Sequence, residues 1–234
     1  MTDLLKVNDI TYKKNHHVIL ENTNLTLGSG HLVGLVGING SGKTTLMRII
    51  TQLNKNYRGD ITVAGETAVD KIKSKVSFSD DLASFSNSTK VDNIRKFYCK
   101  VYPDFSMSKF LELINFLDIS LNSKLGSLSK GMREKLVIAL CLSRETSLYL
   151  LDEPFSGVDS MARKQIIKSL LSWIDENSSL IISSHHISEI SEILDEIVVI
   201  KDNTIIKHEA TEDIRSQNLS LEEYFENLYQ KEIK

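Results

Sequence analysis

The 234 residues predict an α/β protein built on a mainly parallel sheet, with a β-rich N-terminal part and a helical lobe inserted between the halves of the core. Three observations predict it. First, a short apolar run, Leu32-Val33-Gly34-Leu35-Val36, leads into a glycine-rich turn and then into apolar residues at helical spacing: Leu46, Ile49, Ile50 and Leu53. Second, apolar runs at 148–151, 180–183 and 197–200 are separated by helical segments, the pattern of parallel strands covered on both faces. Third, a long helical stretch from 89 to about 125 lies between these two groups. One domain is expected over 1–234, with about 1–75 and 146–234 forming the β edge and α/β core, and about 80–145 the inserted lobe.

In chain order, segments 4–12, 20–27 and 60–69 alternate as strands do and are broken by Asn-rich or Gly-containing turns, giving an N-terminal antiparallel β subdomain. The lobe is read from Val91, Ile94, Phe97 and Tyr98, then Phe110, Leu111, Leu113, Ile114 and Leu117, with Pro103 separating the two helices. Its aromatics read as a packed core. Ser129 reads as a helix N-cap before Leu136, Val137, Ile138, Leu140 and Cys141. Ser220 with Glu223 forms a capping-box start to a last helix ending near Lys231. Cys99 and Cys141 stand in no metal-binding spacing and read as buried free thiols.

Gly37-Ile38-Asn39-Gly40-Ser41-Gly42-Lys43-Thr44 fits G-x-x-x-x-G-K-[ST] in the strand–loop–helix setting that this pattern requires. A polyphosphate needs many donors at close range, and glycines let main-chain N–H groups crowd around it. The helix opening at Lys43 adds its unpaired N–H groups and the positive end of its dipole. Lys43 suits the β and γ phosphates, and the Thr44 hydroxyl is placed to ligate Mg²⁺. The stretch is a nucleotide site. In the run 147–153, an apolar strand ends in two adjacent carboxylates, Asp152 and Glu153. Alone they would read as a solvated turn. With the loop upstream, Asp152 can hold Mg²⁺ through water and Glu153 can orient or deprotonate an attacking water.

The order of these motifs resembles the nucleotide-binding subunits of ATP-binding cassette (ABC) transporters, over essentially the whole chain. Gly37 to Thr44, followed by Thr45, matches the Walker A loop, and Leu128-Ser129-Lys130-Gly131-Met132 is similar to the signature usually written LSGGQ. The 148–153 run is similar to Walker B with its glutamate, Asp159 falls at the D-loop, and Ser184-His185 falls at the switch histidine. The resemblance implies a P-loop NTPase (RecA-like) core. It also implies ATP sandwiched head to tail, with Walker A of one copy facing Ser129 and Gly131 of another. Glu153 would be the base, with His185, favoured over His186, holding the γ-phosphate and water in line. The partners implied are a membrane-spanning permease and a second ATPase subunit, in a homodimer or a heterodimer with a paralogue. Coupling is expected through the segment from about Asp80 to Asn93, Phe85 included.

Three positions depart from the family pattern. Lys130 and Met132 replace the commoner Gly and Gln, Asp81 (or Asp80) stands where a Mg²⁺-contacting glutamine is expected, and the adenine-stacking position falls on Lys14, with Tyr12 two residues earlier. Tyr12, Lys14 or a nearby histidine would cover the ring. The SKGM form and the Ser-Leu-Glu-Glu-Tyr-Phe tail look most like bacterial ABC-2-type exporter ATPases, some of which serve antimicrobial-peptide resistance or secretion. A regulatory, low-activity subunit paired with an active paralogue is the alternative. The net charge of −3 gives no global attraction to nucleic acid. The sequence shows neither a signal-peptide pattern nor a membrane span, so the expected location is cytoplasmic, peripheral to the membrane through the permease.

Overall fold

The computed structural model describes residues 3–79 and 81–230. In chain order these form β1 (Leu5–Lys14), β2 (His17–Leu27), β3 (Leu32–Val36), α1 (Lys43–Ile50), β4 (Tyr57–Val63), α2 (Val69–Lys75) and β5 (Val76–Phe78). Then come α3 (Val91–Val101), α4 (Met107–Phe116), α5 (Lys130–Leu142), β6 (Leu148–Asp152), α6 (Ser160–Trp173) and β7 (Ser179–Ser184). The chain closes with β8 (Glu196–Lys201), β9 (Thr204–Ala210), α7 (Thr211–Ser216) and α8 (Leu221–Gln230).

The strands make two sheets. A three-stranded antiparallel sheet has the order β2-β1-β4, and a six-stranded sheet has the order β5-β6-β7-β3-β8-β9, parallel except for the β8–β9 hairpin. The phosphate-loop strand β3 sits between β7 and β8, so its carboxyl end opens beside those of β6 and β7. Ligands of open α/β sheets bind at such carboxyl ends.

Alternation along the central strands explains the layers. On β6, Leu148 and Leu150 pack toward α1 and the antiparallel sheet, while Tyr149 and Leu151 pack toward the helical lobe and α6. Likewise Ile181 and Val198 face the first core, and Ile182 and Val199 the second. Successive side chains of a strand point to opposite faces, so only near-continuous apolar runs serve a doubly covered sheet. Each fully buried leucine or isoleucine contributes about 1.5–3 kcal/mol.

The lobe is bound to the sheet by Arg144, which is buried. Its guanidinium donates to both Asp104 carboxylate oxygens (3.0 and 2.7 Å), to the Val76 carbonyl (2.7 Å) and to the Lys73 carbonyl (3.0 Å). It also lies over the Tyr102 ring, 4.2 Å from the centroid. A guanidinium has five N–H donors in a fixed fork, and here four of its bonds join α2, β5 and the α3–α4 loop. Phe85 meets Phe97 edge-on, with ring centroids 5.3 Å apart.

The strand expected over 60–69 is instead β4 followed by a turn and α2. Ala64 and Gly65 both adopt left-handed backbone (φ 50° and 79°), which ends the strand at Val63. The edge strand β5, and β9 with the hairpin that joins it to the expected strand β8, are further elements that the sequence does not single out. The hairpin turns through Asp202 and Asn203, both left-handed (φ 49° and 65°), residues that tolerate that conformation. The Ser220–Glu223 capping box forms as expected: the Glu223 carboxylate accepts from the Ser220 N–H at 2.9 Å, and Ser220 Oγ accepts from the Glu223 N–H at 3.1 Å. Lys231, the expected end of the last helix, lies outside the described residues. Both cysteines are free; Cys141 is buried and Cys99 only partly so.

Candidate active site

The phosphate loop leaves β3 at Val36 and enters α1 at Lys43 without a capping side chain and with no acidic residue in the first turn. The first N–H groups of α1 therefore stay available to an anion. Two glycines are required by geometry. A Cβ on Gly37 would sit 2.7 Å from the Ile200 carbonyl, and Gly42 has φ 108°, which L side chains rarely adopt. Ser41 Oγ is buried with no hydrogen-bond partner among the described residues, an orphan polar atom inside the loop. Such a group costs free energy unless something polar meets it, and a phosphate oxygen would. Asn39, Gly40, Ser41, Gly42, Lys43, Thr44 and Thr45 line one cavity of about 350 Å³ together with Glu153.

Lys43 is 5% exposed. Its ammonium donates to the Gly37 carbonyl (2.6 Å) and the Ile38 carbonyl (3.3 Å), and lies 3.4 Å from Glu153 Oε1. The other Glu153 oxygen, Oε2, is 2.7 Å from His185 Nδ1. Glu153 thus stands between Lys43 and His185 at the edge of the cavity. His186 turns outward to solvent, its N–H bonded to Ser184 Oγ at 2.9 Å, so the histidine that reaches the carboxylate is His185. Glu153 itself has φ 49°, a left-handed conformation that costs a non-glycine residue about 1 kcal/mol and that its surroundings must hold.

Two serines that the sequence reading did not single out hold this turn. Ser79 Oγ accepts from the Asp152 N–H at 2.9 Å. Ser183 Oγ donates to Asp152 Oδ1 at 2.6 Å and accepts from the Glu153 N–H at 2.9 Å. Thr44 and Asp152 are hard oxygen donors, which fit Mg²⁺, an ion that keeps much of its water and takes few protein ligands. Among the described residues no group of three His, Cys, Asp or Glu side chains could enclose a metal.

A second, larger cavity of about 660 Å³ lies between lobe and core, lined by Asp152, Asp81, Lys130, Arg133 and Glu134 among others. Asp81 shares this space with Asp152, and its Oδ1 accepts from the Ala83 N–H at 3.1 Å. Asp80 lies outside the described residues. Glu134, half-buried on the wall of this cavity, has its pKa raised to about 7, chiefly by burial, opposed by Lys130 and reinforced by Asp152.

Other expected positions fall elsewhere. Tyr12 pairs with Leu20 and Tyr57 in the antiparallel sheet and packs on the core; it does not line the phosphate-loop cavity, whereas Lys14 and Ile19 do. Ser129 caps α5, its Oγ accepting from the Met132 N–H at 3.2 Å, and Ser129 and Gly131 also lie outside that cavity. The Asp159 carboxylate caps α6 through the Met161 N–H (3.0 Å) and Ala162 N–H (2.9 Å), and these backbone bonds hold its pKa below the usual carboxylate value. From the C-terminus, the Tyr229 hydroxyl accepts the Ile38 N–H at 3.4 Å and donates to the Ile200 carbonyl at 2.7 Å, tying α8 to the phosphate loop.

The family model described as ABC transporter matches residues 20–156, more than half of the chain. An uncharacterized ABC transporter ATP-binding protein of Bacillus subtilis, YcbN, is 29% identical over 226 residues, covering 93% of this chain and 73% of that protein. The lantibiotic transport ATP-binding protein SrtF of Streptococcus pyogenes is 29% identical over 227 residues, covering 96% of each chain. A solved ATP-binding subunit of an ABC transporter superposes with a TM-score of 0.85 at 23% identity, covering 97% of this chain and 100% of that one.

Proposed function

The chain belongs to the ABC transporter ATP-binding family, whose members hydrolyse ATP to drive transport, and from that premise we propose that it is the motor subunit of an exporter, closing head to tail on MgATP and driving a separate membrane permease. The observation that carries this reading is the Glu153 carboxylate, set between Lys43 Nζ (3.4 Å) and His185 Nδ1 (2.7 Å) at the rim of the phosphate-loop cavity. ATP is held by the loop's main-chain N–H groups, the α1 N-terminus, Ser41 and Lys43. The Thr44 hydroxyl and the Asp152 carboxylate would hold Mg²⁺, which would supply charge neutralisation to the triphosphate. Glu153 takes the proton of the attacking water, and His185 keeps Glu153 and the γ-phosphate in line.

Two features support a second copy as the lid. Ser129 and Gly131 stand at a helix N-terminus outside the phosphate-loop cavity of their own chain, so they would serve a neighbour's nucleotide. Met161, next to the Asp159 cap, is 73% exposed, an apolar surface suited to burial by a partner. Among the described residues no helix is long and apolar enough to cross a membrane; in this reading a separate permease is reached through the lobe around Phe85. The likeness to SrtF supports export of an amphipathic peptide. A regulatory, inert role is disfavoured by the paired Glu153 and His185.

The test is Glu153→Gln. ATP binding is retained, turnover falls at least 100-fold, and the ATP-loaded variant runs as a dimer by size-exclusion with light scattering. A variant that hydrolyses ATP at the normal rate, or stays monomeric with ATP both alone and with its partner subunits, would overturn the reading.

A further inference from the structure

We propose that Ser183 is a positioning residue for ATP hydrolysis, its one hydroxyl fixing both the Asp152 carboxylate and the peptide that aims Glu153. The inference rests on the ATPase reading above and deepens it.

Ser183 lies next to last on β7, opposite Asp152 in the β6–β7 register, and is wholly buried. A hydroxyl at such a place is costly unless bonded, and an alanine would pack there without that cost. Both of its bonds go to the reacting turn. The O–H donates to Asp152 Oδ1 at 2.6 Å, the length of a charge-assisted bond to an ionised carboxylate. The same oxygen accepts the Glu153 N–H at 2.9 Å. Beyond Asp152 the parallel ladder has ended, so the Ser183 hydroxyl continues it in place of a main-chain carbonyl.

The conformation being held is not one that Glu153 would keep unaided. Its φ of 49° is left-handed, and its N–H bond to Ser183 is what opposes relaxation toward extended backbone. With the hydroxyl gone, the Asp152 carboxylate loses its one side-chain donor among the described residues, and Glu153 keeps its side-chain contacts to Lys43 and His185 but loses the main-chain bond that aims them. Ser79 offers an internal comparison, because among the described residues its hydroxyl bonds the Asp152 N–H and neither the Asp152 nor the Glu153 carboxylate. Loss of Ser79 loosens the turn; loss of Ser183 loosens the turn and the ligand together.

The experiment uses the full chain with Mn²⁺ as the spectroscopically visible replacement for Mg²⁺. Mn²⁺ affinity with ATP present is read by electron paramagnetic resonance, ATP affinity in EDTA by calorimetry, and kcat and KM by phosphate release. For Ser183→Ala, Mn²⁺ affinity falls about 10-fold and kcat about 10–100-fold, the range for residues that orient a metal ligand. ATP affinity in EDTA stays within about two-fold, and Ser183→Thr, which keeps the hydroxyl, regains most of the loss. Ser79→Ala leaves Mn²⁺ affinity within about three-fold of wild type. Should the alanine variant fail to fold, Ser183→Cys, near in size and a poor donor, takes its place with the same expected losses.

Wild-type Mn²⁺ affinity in Ser183→Ala or Ser183→Cys would overturn the proposal. So would a folded threonine variant as impaired as the alanine one, or an equal loss of ATP affinity in EDTA. A wild-type chain that takes up neither ATP nor Mn²⁺ would remove the ATPase reading itself, and the positioning role with it.

Discussion

Replacing Glu134 with glutamine tests whether a half-buried carboxyl in the cleft between lobe and core costs the protein stability at neutral pH. The folded pKa is about 7 against an ordinary 4.5, because burial and the Asp152 charge disfavour ionisation more than Lys130 favours it. Between those values the folded chain keeps a proton that the unfolded chain has released. Stability is therefore full below about pH 4.5, falls as pH rises through the window, and stays reduced above about 7. At about 1.36 kcal/mol per pKa unit the loss would reach about 3.4 kcal/mol. Water in the open cavity beside the side chain screens it, and about 1–2 kcal/mol is expected. Glutamine has nearly the same shape and does not titrate. Urea unfolding at pH 8 should show Glu134→Gln more stable by that amount, with the melting temperature up by about 2–8 °C for a chain this long. At pH 4, below the unfolded pKa, the two proteins should nearly coincide. A difference of the same size at both pH values would refute the electrostatic account and leave only a packing effect.

Lys43→Ala should lower ATP affinity at least about 10-fold, read by calorimetry with a non-hydrolysed analogue; unchanged affinity would take Lys43 away from the phosphates. Arg144→Ala should destabilise by about 3–5 kcal/mol, since it leaves Asp104, the buried Val76 carbonyl and the part-buried Lys73 carbonyl without their donor. Arg144→Lys should recover less than half of that in urea melts, because one ammonium cannot span the fork, and a loss below about 1 kcal/mol for alanine would show that the lobe is held elsewhere.

Much of the site was legible because it is local in sequence. The phosphate loop, the strand ending in Asp152-Glu153 and the Ser129 cap each declare themselves within eight residues. What stayed hidden depends on contacts between distant segments. Ser79 and Ser183 read as ordinary polar residues near apolar runs, and only the order β5-β6-β7 brings both hydroxyls to one turn. Tyr12 and Lys14 lie two residues apart, and hairpin geometry places them in different surroundings. Asn15 and His16 form the turn, which carries Lys14 to the cavity wall and leaves Tyr12 in the sheet. Helix α2, of which the expected strand covers only Val69, gives no signal of its own because its seven residues bury only Ile72, too few apolar positions to show a helical period. The β9 strand shows no alternation, since it lies at the sheet edge with no residue fully buried.

The ammonium at Lys43 is already satisfied within the chain: two loop carbonyls and the Glu153 carboxylate share it. Incoming triphosphate must outbid a resident anion, so on the proposed mechanism Glu153 weakens the first grip of the very substrate it would help to cleave. Neutralising that side chain should tighten ATP capture by a lone subunit, ahead of any pairing. Long-lived complexes of the glutamine variant would then owe part of their lifetime to an uncontested cation, and only the remainder to arrested chemistry.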